Sequence, residues 1–234
     1  MLAMGMVVGC AGSLDPVTVD IGVHRVSFVI PEGWQHYDHG REQRLETSDG
    51  DIVLTDLGPV TADGYRPVIA AAREHLRSDR REDARQILED LRRAPSIDAT
   101  DLPSAIGESL DRFRTGQSTA EVEASFDTLL AEVDRLSTPD LMSLATASLA
   151  GFDHGPRRDV EREELRNVDG RQAGQVITWQ RLTHDHRRWH LWIVNRGHLL
   201  VIRTTLGRDR VLGPAFETVV GSLRFVGPDA HRTP

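Results

Sequence analysis

The period of the apolar pattern changes twice along this chain, and that double change restricts the folds open to it more than any other feature. From residue 17 to about 57, apolar side chains recur at every second position, as a half-buried strand requires. Val17-Thr18-Val19-Asp20-Ile21 and Val26-Ser27-Phe28-Val29-Ile30 read as strands, closed by Pro31-Glu32-Gly33-Trp34. A third strand, Asp51–Leu57, lies between Asp49-Gly50 and Gly58-Pro59 and alternates Ile52, Leu54 and Asp56. The polar stretch 35–47 is expected to hold one short strand near 44–47. From about Arg66 to Ala150 the spacing becomes helical. Val68, Ile69, Ala72 and Leu76 form one face, and Ala84, Ile87, Leu88 and Leu91 another. Leu102 to Phe113 reads as a short helix with Pro103 in its first turn. Ser118 and Glu121 stand at capping-box spacing before a stripe of Val122, Phe126, Leu129, Leu130, Val133 and Leu136. Thr138-Pro139 is expected to cap a last helix that Gly151 stops.

Period two then returns. Segments 159–168, 172–183, 188–195 and 199–206 read as strands, with turns at Asp169-Gly170, His184–His186 and Arg196-Gly197. A short helix over 214–221 and a strand over 222–226 follow. Strands, then helices, then strands with short connections specify an α+β fold: an antiparallel sheet packed by helices, interrupted by an all-helical insertion. The expected divisions are 17–60 with 157–227 as one domain, 61–156 as the insertion, 10–16 as a linker and 228–234 as a tail.

With 234 residues, 39% hydrophobic and 27% charged, the chain has material for one sizeable core plus an insertion. Its net charge of -8 argues against nucleic acid as a partner, which calls for a basic face. All the basic residues are Arg, a usage that fits a GC-rich genome and marks no site. The single cysteine rules out an intramolecular disulfide and a cysteine-based zinc site. Its surroundings are informative. Met1 to Gly9 is uncharged and mostly apolar, and Val7-Val8-Gly9-Cys10 precedes Ala11-Gly12-Ser13. This resembles the lipobox of bacterial lipoproteins, although Val7 stands where Leu is usual and no basic residues precede the apolar run. The resemblance implies lipid attachment at Cys10, cleavage before it, a translation start further upstream, and a cell-envelope location facing the periplasm or exterior; the alternative is a cytoplasmic protein with an apolar N-terminal end.

Both ends of the remaining chain resemble the PsbP-like superfamily, which includes the extrinsic photosystem P protein, a Ran-binding nuclear import factor and many bacterial lipoproteins. Phe28-Val29-Ile30-Pro31-Glu32-Gly33-Trp34 is similar to its opening phrase, F-x-I-P-x-G-W. Gly197-His198-Leu199-Leu200-Val201-Ile202 and the run from Phe216 through Ser222-Leu223-Arg224-Phe225 are similar to its closing section. The resemblance implies an antiparallel sheet between helices whose last strand is Ser222–Phe225. It implies little about activity, since members of the superfamily bind different partners and a fold does not fix a function.

Two groups of residues carry possible chemistry. His184, His186 and His190 offer imidazoles at a spacing suited to zinc, copper or nickel, but Thr183–Arg188 also reads as an ordinary solvated hairpin tip with two arginines that repel a cation. Trp179, Trp189 and Trp192 could line a ligand pocket or partner surface, or fill the core. Trp189 and Trp192 are an odd number of residues apart and so face opposite sides of a regular strand. No Gly-x-Ser-x-Gly, phosphate loop or dinucleotide fingerprint occurs, so no catalytic residue or cofactor is expected. The resulting expectation is a non-catalytic, lipid-anchored envelope protein that binds an envelope partner, or alternatively a small-ligand or metal-binding protein.

Overall fold

Eleven strands and six helices follow the predicted order of periods in a computed structural model that describes residues 7–8, 15–94, 101–138, 140–152, 158–180, 187–205 and 209–227. The elements before the helical stretch are β1 (Val7–Val8), β2 (Val17–Ile21), β3 (His24–Phe28), β4 (Gln35–Asp38), β5 (Glu42–Thr47) and β6 (Gly50–Pro59). Next come α1 (Ala62–Arg77), α2 (Arg81–Arg93), α3 (Leu102–Arg114), α4 (Thr119–Val133) and α5 (Leu141–Phe152). The chain closes with β7 (Arg158–Val168), β8 (Arg171–Gln180), β9 (Arg187–Asn195), β10 (His198–Thr204), α6 (Asp209–Ser222) and β11 (Arg224–Phe225). The fold is α+β, with the antiparallel sheet, the packed helices and the helical stretch between strands that the periodicity specified. The chain divides into two compact units. One comprises Met1–Asp56, Ser148–Asn195 and Leu200–Pro234, and the other Leu57–Ala147 with Arg196–Leu199.

The first unit is built on a sheet of order β1-β4-β5-β6-β10-β9-β8-β7. Two of its hairpins turn on paired positive-φ residues, Asp169-Gly170 and Arg196-Gly197, the conformation that matches the twist of two-residue antiparallel connections. One face carries Leu45, Ile52, Leu54, Ala173, Trp189, Leu191, Ile193, Leu200 and Ile202, all buried. Helix α6 lays Leu212, Ala215, Phe216, Val219 and Val220 into the same core at helical spacing. Gly213 sets how closely it sits, since a Cβ there would lie 3.0 Å from the Trp189 indole.

A second, three-stranded sheet, β11-β3-β2, adds Ile21, Val26 and Phe28 to that core. Here the two phrases that carry the family resemblance meet. Phe225 pairs with Val26 and Arg224 with Ser27, while the Val29 N–H donates to Ser222 Oγ at 2.9 Å. The last strand, Arg224–Phe225, is thus an edge of this smaller antiparallel sheet, and Ser222 ends the helix before it. The outer position of the main sheet is taken by β7.

Further local readings need revision. The stretch 35–47 holds two strands, because His36 and Gln43 occupy the inward positions where alternation would have called for apolar residues. Helix α5 is capped by Asp140, whose Oδ2 accepts from the Ser143 N–H at 2.8 Å, and it continues through Gly151 to Phe152. Helix α6 begins at Asp209, five residues before the expected proline.

In the second unit α1 packs on α2 and α4, and α3 on the same two helices. Tyr65, Ile69, Leu76, Leu88, Leu91, Ile106, Leu110, Phe126 and Leu129 belong to one buried cluster that draws only on residues of α1–α4. The expected capping box forms: the Glu121 N–H donates to Ser118 Oγ and the Ser118 N–H to Glu121 Oε2. Arg66, Arg73 and Arg77 of α1 pair in turn with Asp134, the C-cap of α4, and with Asp127 and Glu123 within it. Each step of seven or four residues along α1 matches the same step back along α4, so the two helices run antiparallel.

Candidate functional site

Of the residues singled out from the sequence, the structure brings His190 and Trp192 together. Cys10, His184 and His186 lie outside the described residues. His190 sits inside β9, 1% exposed, with its ring stacked on Trp192 at 5.5 Å and 13° between planes. It lies in the buried stretch of that strand, beyond the expected hairpin tip at 183–188. The tryptophans divide by strand parity. Trp189 is in the sheet–α6 core, and Trp179 shares that side of the sheet with Ile177, the cross-strand partner of Trp189. Trp192 takes the opposite side, fully buried, opposite Gly174 of β8. Its indole N–H meets no acceptor among the described residues. No group of three or more His, Cys, Asp or Glu able to hold a metal occurs among the described residues.

What the first unit does assemble is a buried polar chain that sequence reasoning missed. Asp56, at the end of the inward row Ile52-Leu54-Asp56, has a side chain 1% exposed. Its Oδ2 accepts from the Val23 N–H at 3.2 Å, and its Oδ1 lies 3.8 Å from His24 Nε2. His24, fully buried, faces Asn195 Nδ2 with its Nδ1 at 3.1 Å. Arg171 Nε donates to Asn195 Oδ1 at 3.0 Å, and Arg171 also reaches the carbonyl and carboxylate of Asp169 at 3.0 and 3.1 Å. Asp169 Oδ2 accepts from the Phe225 N–H at 2.8 Å, and the Arg171 guanidinium lies 4.2 Å from the centre of the Phe225 ring. One chain of contacts thus runs from β6 through β3, β9 and β8 to β11. Gly22 makes room for it, with φ +58 and a would-be Cβ only 2.0 Å from Asp56 Oδ2.

This arrangement has the residue types of a general-base relay but not its geometry. His24 Nδ1 faces an amide at 3.1 Å, Nε2 lies 3.8 Å from a buried carboxylate, and the ring has no solvent-facing surface. A base must present one nitrogen to a substrate proton. The chain is therefore a structural tie between strands, and charged or polar groups buried in this way persist only when they satisfy each other.

A second tie holds β4. His36 Nε2 lies 2.7 Å from Gln43 Oε1, and Gln43 Nε2 donates to Asp38 Oδ1 at 2.7 Å and to the Asp20 carbonyl at 3.2 Å. The Gly40 N–H, donating to Asp38 at 2.7 Å, holds that carboxyl below its ordinary value against the opposing effect of burial. In the helical unit a shallow crevice of about 30 Å³ is lined by Tyr65, Leu91, Arg92, Ala94, Leu102, Pro103 and Ile106, room for a water or two. Burial pushes the Tyr65 phenol up to about 12. No helix among the described residues is long and apolar enough to cross a membrane.

No family model matches this chain, and no curated protein does. Among solved structures it is similar to the solution structure of cyanobacterial PsbP (CyanoP) from Synechocystis sp. PCC 6803, at 13% identity over 93% of this chain and 96% of that one, with a TM-score of 0.41.

Proposed function

We propose that this is a non-catalytic, lipid-anchored envelope protein of PsbP-like build whose helical unit docks a protein partner. The observation that carries the reading is that the buried members of one hydrophobic cluster all come from α1–α4 among the described residues. Ordering some ninety residues opposes folding by roughly 1–2 kcal/mol of backbone entropy per residue. A segment that repays this internally, and adds no strand to the sheet, is available for recognition. The buried Asp56–His24–Asn195–Arg171 chain supports the non-catalytic half of the reading, because its His and Asp are shut away from solvent and held among other strands. The sequence Val7-Val8-Gly9-Cys10 supports the anchor.

Two experiments test the two halves. Intact mass and membrane fractionation of the chain expressed from its own upstream region, beside Cys10→Ser, should show an acylated, membrane-bound wild type and an unmodified, released mutant. Soluble, unmodified wild type refutes the anchor. Photo-crosslinking residues placed at exposed Gln86, Glu108 and Thr128 should give one discrete partner band in cells. Crosslinks confined instead to positions on β7 would move the docking surface to the sheet. A second reading, a small-ligand protein, is favoured by one observation: the buried Trp192 indole N–H, beside His190, has no acceptor among the described residues. A ligand bearing a carbonyl or carboxylate that quenches Trp192 fluorescence, and whose effect Trp192→Phe abolishes, would favour it.

A further inference from the structure

The buried chain of contacts in the first unit fixes a proton position. Arg171 Nε can only donate, so the Asn195 atom 3.0 Å away is the amide oxygen. The Asn195 atom 3.1 Å from His24 Nδ1 is then the amide nitrogen, also a donor. A donor facing Nδ1 requires that nitrogen to be bare. The single ring proton therefore sits on Nε2, 3.8 Å from Asp56 Oδ1.

We propose that His24 is a proton-operated clasp: neutral and Nε2-protonated, it holds the three-stranded sheet to β8 and β9, and a second proton, taken at Nδ1, releases Asn195. The imidazolium would point an N–H at the Asn195 amino group. Turning the amide over would set that amino group against the Arg171 N–H. Arg171 cannot swing aside freely, because Asp169 holds it through two oxygens and it lies over the Phe225 ring. The added proton is accommodated by separating β3 from the end of β9.

The charged groups around the ring set the competition. From β6, the Asp56 carboxylate favours the cation, but at 3.8 Å it is beyond hydrogen-bond range. From β8 comes Arg171, one residue behind the amide, and from the β7–β8 turn Asp169, behind Arg171. On β3 itself, Arg25 is half exposed and faces Asp20 of β2 at 4.0 Å. From β11, Phe225 presents its ring edge-on at 6.1 Å, and Arg224 is bound to the Gly221 and Leu223 carbonyls. Burial and the amide contact favour the neutral ring against Asp56, because the Asn195 amino group 3.1 Å from Nδ1 leaves no acceptor for a proton there.

The test uses the whole chain. Nitrogen NMR of the histidine rings should show His24 Nδ1 as a bare imine nitrogen and Nε2 as protonated at pH 8. An imidazole kept neutral by the fold, but free to protonate when unfolded near pH 6.5, makes the unfolded state bind the extra proton. Stability is then lost as pH falls, by up to tenfold in the folded-to-unfolded ratio per unit below about 6.5. Denaturant titrations from pH 8 to 5 should show this slope in the wild type and its absence in His24→Gln, with amides of β3 and β11 exchanging faster in acid. A bare Nε2 at pH 8, equal slopes in the two proteins, or a doubly protonated ring with β3 amides still protected would each overturn the proposal. If His24→Gln does not fold, the wild-type ring titration read against β3 exchange decides by itself.

Discussion

Replacing Phe126 by Ala tests the independence of the helical core directly. The ring is fully buried in the α1–α4 cluster, and the Arg73 guanidinium stands 5.9 Å from its centre. Removing a fully buried Phe costs about 3–5 kcal/mol, the lost transfer energy plus the cavity left behind. Loss of the cation–π contact adds about 0.5 kcal/mol, since Arg73 retains its pairs with Asp127 and Glu123. A loss near 4 kcal/mol corresponds to a population change of about a thousandfold, at 1.36 kcal/mol per factor of ten. Native-state hydrogen exchange is the suitable assay because it resolves elements. The slowest amides of α1, α3 and α4 should exchange about a thousand times faster, and the slowest amides of β8 and β9 should keep most of their protection. An equal loss in the helices and in β8–β9 would refute the reasoning. The two clusters would then be a single cooperative core, and the helical segment would not be a module that folds on its own account.

Other positions give sharper local outcomes. Gly22→Ala places a Cβ 2.0 Å from Asp56 Oδ2 at φ +58, so the denaturant midpoint should fall sharply with an unchanged slope. Gly64→Ala sets a Cβ 2.3 Å from the Gly197 carbonyl oxygen, a backbone atom that cannot rotate away; thermal melting should drop by several degrees or more. Ser118→Ala removes the α4 cap hydroxyl at about 1 kcal/mol. The same hydroxyl, then the Ser118 N–H, hold the Glu121 carboxyl below its ordinary value, so the stability this supplies is present above about pH 4.5 and lost as pH falls through the lowered value. The gap between wild type and Ser118→Ala should therefore narrow in acid to what the Glu121 N–H bond to Ser118 Oγ supplies, read by denaturant midpoints between pH 6 and 3. At the other extreme Tyr65 stays neutral to about 12, so its contribution to stability is intact below pH 10 and lost between 10 and 12; ultraviolet phenolate titration with and without Tyr65→Phe measures it.

The fold was legible wherever an element announced itself through apolar spacing, and was missed where polar residues took inward positions. Strand β4 was invisible because its inward residue is His36, which is satisfied by Gln43 and not by an apolar neighbour. Helix α4 was plain because cap and stripe agreed. The polar chain carried one local sign, an Asp in register with Ile52 and Leu54 on an inward row, which marks a buried acid in need of a partner. Its other members, His24, Asn195 and Arg171, are joined only by long-range strand pairing, and no spacing in sequence reports that. The odd separation of Trp189 and Trp192 correctly divided them between the sheet faces, because β9 is regular over that interval. The same parity argument dissolves the tryptophan group as a single site.

The main sheet has two edges, and they are protected by different means. Strand β7 is outermost on one side. It exposes Val160 and Leu165, at 50% and 53%, yet intersperses them with Glu161, Arg162, Glu163 and Glu164 and breaks register between Val160 and Arg162. Charge and a bulge both discourage pairing with another strand. At the far side β4 is covered by β1, with Val7 opposite Tyr37 and Val8 opposite His36. In the proposed lipoprotein, cleavage before Cys10 removes β1 and leaves β4 as the edge. That strand is four residues long and ends in Asp38 at a tight turn, so the exposed ladder is short. Its His36 is also anchored inward to Gln43, which fixes the strand without β1. Processing at Cys10 is thus compatible with an intact sheet, and it predicts a specific change. In the mature chain the outward-facing amides of Gln35–Asp38 should exchange rapidly, while the unprocessed Cys10→Ser chain should protect them. Protection of those amides in both forms would mean that something other than β1 covers the edge.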